Sequence, residues 1–86
     1  MFSKKIVVRC QSGLHNQQAT YFVQKANEFE SSISVESGNR RMNAKSLLGI
    51  MSLSIVTGAT VTLSAEGKDA EAAVNALEAL LQRDVY

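Results

Sequence analysis

The stretch Thr60–Leu81, TVTLSAEGKDAEAAVNALEALL, changes its hydrophobic period halfway along. From Thr60 to Glu66 the alternation is strict. Val61, Leu63 and Ala65 fall on one face, and Thr60, Thr62, Ser64 and Glu66 on the other, which is the pattern of a strand with one buried face. Gly67-Lys68 turns the chain. Asp69 then reads as a helix N-cap, with Glu71 favourably placed in the first turn. Ala73, Val74, Leu77, Leu80 and Leu81 recur at three- and four-residue steps, a single apolar stripe, with Arg83 near the helix end. A one-faced strand followed by an amphipathic helix points to a sheet covered by helices on one side.

The same two periods recur upstream. Lys5 to Cys10 alternates, with Ile6, Val8 and Cys10 on the inner face. Gln11 to His15 reads as a loop. From Asn16 a helix begins, with Ala19, Phe22, Val23, Ala26 and Phe29 as its stripe. Ile33 and Val35 mark a second strand, Ser37-Gly38-Asn39 a tight turn and Arg41 to Ala44 the returning strand. Ser46 suits the N-cap of a short apolar helix carrying Leu47, Leu48, Ile50, Met51 and Leu53, and Gly58 closes that region. The order is β-α-β-β-α-β-α. An antiparallel or mixed sheet with one open face is expected.

Bulk properties narrow the function. The sequence has 86 residues, which fits one domain spanning 1–86. Nine Lys and Arg against eight Asp and Glu give a net charge of +1, so direct nucleic-acid binding is not expected. No run is long enough for membrane insertion. The one cysteine, Cys10, cannot form an internal disulfide or build a zinc site, so no metal is expected, and it reads as a small buried hydrophobe. The composition fits the reducing cytoplasm.

Two positions carry chemistry. His15 is the only histidine. It stands at a helix start, where free N–H groups favour an anion, and a neutral imidazole there can act as a nucleophile. Ser46 has Lys45 beside it and Arg40 and Arg41 on the preceding strand, so a phosphate added to it is expected to meet cations. One short helix cannot bury Leu47, Leu48, Ile50, Met51 and Leu53 together. An exposed patch beside a switchable serine reads as a docking surface.

Gly13-Leu14-His15, Ala19-Thr20, Val23-Gln24, the block Lys45-Ser46-Leu47-Leu48-Gly49-Ile50-Met51-Ser52-Leu53 and Gly58 together resemble the histidine-containing phosphocarrier (HPr) family. The resemblance runs over essentially the whole chain, and the serine-bearing block is similar to members from Gram-positive bacteria. It implies an α+β open-faced sandwich, a four-stranded antiparallel sheet with three helices on one face. It implies no cofactor and no enzymatic activity of its own, but a place in the phosphoenolpyruvate-dependent sugar phosphotransferase system. His15 would accept a phosphoryl group from enzyme I and pass it to an enzyme IIA domain, with Asn16 and Gln17 supporting the phosphate. Ser46 would be phosphorylated by the HPr kinase/phosphorylase. The modified form would dock on a catabolite-control repressor through Leu47, Leu48 and Met51, with Thr20 and Val23 alongside.

One segment departs from the family pattern. The family run His-Ala-Arg-Pro-Ala is here His15-Asn16-Gln17-Gln18-Ala19. Gln17 donates a hydrogen bond but brings no positive charge, and charge-assisted bonds to phosphate are about twice as strong. The sister branch, the catabolite-repression HPr-like protein Crh, keeps the regulatory serine and lacks the histidine. Ala26-Asn27, Phe29 and Asn43-Ala44-Lys45-Ser46 resemble that branch. Two roles follow: a carrier with an impaired histidine site and a regulatory serine, or a purely regulatory corepressor module.

Overall fold

The computed structural model describes residues 1–10 and 16–83. Its elements are β1 (Phe2–Val7), α1 (Asn16–Ala26), β2 (Ser32–Ser37), β3 (Arg40–Asn43), α2 (Leu47–Ser52), β4 (Thr60–Glu66) and α3 (Ala70–Gln82). The expected order of elements is therefore correct. The strands lie in the order β1-β4-β2-β3, and every neighbouring pair is antiparallel.

Register follows from alternation. Val61 pairs with Ile6, Leu63 with Val35 and Ala65 with Ile33, so the apolar residues of three strands line up on one face. Those residues share one core with Ala19, Phe22, Ala26 and Ile50 from α1 and α2, and with Ala73, Val74, Leu77 and Leu81 from α3. The opposite face carries Ser3, Thr62, Ser64, Ser34, Glu36 and Arg41, none of them buried. Cys10 is fully buried, as a small hydrophobe would be.

Several boundaries differ from the sequence reading. Strand β1 ends at Val7 rather than Cys10, although Ile6, Val8 and Cys10 keep the expected inward phase. The cause is a change of partner. Val8 still pairs with Ala59 and Gly58, but the Arg9 and Cys10 amides donate to the Leu81 carbonyl at the end of α3, 2.8 and 2.9 Å away. Helix α1 stops at Ala26, and Phe29 packs against the core from the following turn. Strand β3 starts one residue early, at Arg40, because Ser37 pairs with Arg40 across a two-residue turn in which Gly38 takes φ +62.

Asp69 is the clearest departure. It precedes α3 as expected, yet its side chain makes no cap hydrogen bond. The carboxylate instead accepts the Glu30 and Ser31 amides, each at 3.0 Å, and the Ser31 hydroxyl. This fastens the α1–β2 connection to the start of α3. The adjoining Gly67 has φ +145, and a Cβ there would lie 2.6 Å from Ser31 Oγ and 2.9 Å from its Cα. Only glycine suits that backbone and that clearance.

Candidate functional site

Ser46 sits between β3 and α2 with an extended backbone, φ −107 and ψ 114. Its Oγ accepts the Gly49 amide at 3.1 Å, so it is the N-cap that the sequence suggested. Its own N–H donates to the Asn43 carbonyl at 3.0 Å. The Asn43 side chain braces the same turn by accepting the Lys45 amide at 2.9 Å. Asn27, just past the end of α1, donates to the Lys45 carbonyl at 3.4 Å and so links the two helices next to Ser46.

The three cations expected around Ser46 each bond another group. Lys45 Nζ reaches away to the Phe29 carbonyl, 2.7 Å. Alternation along β3 sends its two arginines to opposite faces of the sheet. Arg40, on the helix side, donates to the Ser52 carbonyl at 2.6 Å and its hydroxyl at 3.2 Å, at the far end of α2. Arg41, on the open face, donates to Ser34 Oγ at 3.0 Å.

Helix α2 divides as its composition requires. Ile50 is buried within it, and Leu53 just beyond it. Leu47, Leu48 and Met51 are exposed, Leu48 by 83%. Helix α2 packs against α1, where Thr20 and Val23 are half-buried. Tyr21 and Val56 are also exposed large side chains, and sequence reasoning passed over both. Tyr21 lies off the α1 stripe, which was a usable signal. Val56 stands in an irregular connection, where no period applies.

His15 lies outside the described residues, as does the loop before it, and the side chain of Asn16 is likewise outside. Gln17 is described: exposed, with Nε2 donating to the Tyr21 hydroxyl at 3.1 Å, one helical turn on. Just upstream, the Thr57 hydroxyl donates to the Cys10 carbonyl at 2.6 Å. Of the expected site residues, the structure thus brings Ser46, Leu47, Leu48 and Met51 together on α2, with Thr20 and Val23 on the helix packed beside it.

Among the described residues, one titratable group departs clearly from its ordinary value. Asp69 is lowered below 3.8, first by the Ser31 hydroxyl and then by the Glu30 amide, against a smaller opposing effect of burial. It lies at the base of α3 and serves the fold. No group of three or more His, Cys, Asp or Glu among the described residues could hold a metal ion. No helix of the described residues is long and apolar enough to cross a membrane.

Residues 2–83 match the family model described as the PTS HPr component phosphorylation site. The chain belongs to the PTS HPr family. It is 42% identical over 85 residues to the HPr-like protein Crh of Bacillus subtilis strain 168, covering 99% of this chain and 100% of Crh. The fold superposes on the crystal structure of the phosphocarrier protein HPr from Bacillus anthracis str. Ames with a TM-score of 0.93 and 44% identity, covering 94% of this chain and 96% of that one. It also matches a crystal structure of Bacillus subtilis Crh, described as a swapped-domain dimer, with a TM-score of 0.77 and 42% identity over 100% of this chain and 99% of that one. HPr-family proteins are phosphocarriers and not enzymes, and the four-stranded antiparallel sheet with its helices agrees with that family.

Proposed function

We propose that residues 1–86 act as one cytoplasmic HPr domain whose main switch is Ser46. An HPr kinase/phosphorylase phosphorylates Ser46 from ATP, and the modified face docks on a catabolite-control repressor through Leu47, Leu48 and Met51, with Thr20 and Val23 beside them. The observation that carries this reading is the setting of Ser46. It adjoins an exposed apolar face, and Lys45, Arg40 and Arg41 are all engaged elsewhere. A phosphate on Ser46 would find no side-chain cation of its own among these three. It is left to a partner that supplies them, which makes binding conditional on modification.

In the phosphotransferase system, His15 accepts a phosphoryl group from enzyme I and delivers it to an enzyme IIA domain, with Asn16 and Gln17 as its supports. Gln17 is neutral and already bonded to Tyr21, so transfer is slower than with an arginine at that position. The same observation, with the similarity to Crh, favours a second reading: a regulatory module with no carrier activity.

Mass spectrometry after two separate incubations tests both readings. ATP and the kinase are expected to label Ser46, and the labelled form to bind the repressor. Leu48→Ser is expected to weaken that binding about tenfold or more while leaving stability within about 0.5 kcal/mol. Equal binding by both forms of Ser46 would exclude the switch. Phosphoenolpyruvate and enzyme I should give acid-labile phosphate that Ser→Ala at Ser46 leaves intact and His15→Ala abolishes. Labelling no higher than that of His15→Ala would leave the regulatory module alone.

A further inference from the structure

Gly49 occupies the third position of α2, directly against Ser46. Its φ is not in the left-handed region, so the backbone there does not require glycine. A glycine inside a helix is disfavoured against alanine. That third position is also where a helix start commonly carries Glu or Gln, whose side chain reaches back to the capping residue's N–H. Here the Ser46 N–H is already engaged by the Asn43 carbonyl, so a side chain at 49 has no bond to make. What distinguishes the position is clearance. A Cβ on residue 49 would stand 3.3 Å from Ser46 Oγ and 3.4 Å from Ser46 Cβ. Met42 Cβ would also stand 3.3 Å from it, so the added group would be tight against two residues at once.

We propose that Gly49 determines whether Ser46 can take and hold a phosphoryl group. The inference rests on the reading of Ser46 as phosphoacceptor and deepens it. In the transfer, Ser46 Oγ bonds to the γ-phosphorus of ATP as the bond from that phosphorus to the β–γ bridging oxygen breaks. ADP departs, and the hydroxyl proton passes to a base of the kinase. Three terminal oxygens with close to two negative charges then crowd around Oγ. With glycine at 49, they have space on that side and can take over the amide N–H now given to Oγ. A methyl group closes that side. A glutamate there would add a like charge as well.

The test is a cycle of four proteins: wild type and Gly49→Ala, each with Ser46 free or with phosphoserine installed at position 46 through a reassigned codon. Unmodified Gly49→Ala is expected to melt within about 4 °C of wild type, since the contacts of the added methyl need only small adjustments and alanine favours the helix. Phosphorylation is expected to lower the Tm of Gly49→Ala by at least about 5 °C more than that of wild type. Labelling by kinase and ATP should be about tenfold slower on Gly49→Ala. Leu48→Ala, which adds nothing near Oγ, should show the wild-type response to phosphoserine. Equal Tm changes in the two backgrounds would overturn the proposal. So would loss of a melting transition in unmodified Gly49→Ala, because the glycine would then serve the fold. If the kinase labels neither protein, the reading of Ser46 fails, while the melting cycle still decides the role of Gly49.

Discussion

Two residues of similar sequence appearance stand at the starts of α2 and α3, and they do opposite things. Ser46 bonds within its own helix, to the Gly49 amide. Asp69 leaves its helix uncapped and binds Glu30 and Ser31, more than 30 residues away in sequence. A serine hydroxyl on a short stem with its helix starting at once is a local device. A carboxylate with several acceptor positions can serve a distant loop and hold three donors together. The first arrangement commits its oxygen to one amide of the next turn. The second makes the oxygen a fastening that the fold depends on.

Four measurements would break or sharpen that contrast. The largest effect is expected next to Asp69. Gly67→Ala sets a Cβ against Ser31 at a φ of +145, and should cost about 3 kcal/mol in denaturant unfolding. Asp69→Asn comes next and should carry a pH signature. Because the folded pKa is lowered from 3.8, the contribution is complete above that value. As pH falls below it, the unfolded chain is protonated first, and the contribution disappears as pH passes through the folded pKa. Wild type should therefore lose stability steeply under acid, and Asp69→Asn should lose less over the same window. Ser46→Ala removes a local cap and should cost about 1 kcal/mol, or roughly 4–8 °C in Tm. Arg40→Ala should be smallest, about 0.5 kcal/mol from its bonds at the end of α2. It should leave kinase labelling of Ser46 unchanged, because Arg40 points to the other end of that helix.

What the sequence made legible divides along the same line. The Ser46 cap could be read because a hydroxyl, an extended residue and an apolar run are neighbours in the chain. The alternation of β4 and the stripe of α3 could be read because one-sided burial imposes a period. The partners of Asp69 could not, since no local pattern encodes a contact with Ser31. The partners of the cations suggested around Ser46 were hidden for a related reason. Arg40 and Arg41 are adjacent, and adjacency in a strand places them on opposite faces. Extending β1 to Cys10 kept the right phase and the wrong end, because the choice between a strand partner and the Leu81 carbonyl is made by tertiary packing. The exposed face of α2 was legible from crowding alone, as more apolar residues than one short helix can bury.

The binding of Arg9 and Cys10 to the end of α3 has a consequence for how the protein is made. Strand β4 lies between β1 and β2, and the Leu81 carbonyl receives the backbone just after β1. Strand β1 therefore leaves the ribosome long before either of its partners exists. Until Thr60–Glu66 and Ala70–Gln82 have emerged, its apolar residues lack the strand and the helix that pack most closely on them. The sheet can therefore be completed only after most of the chain has been made, which is the order that non-local pairing imposes on folding.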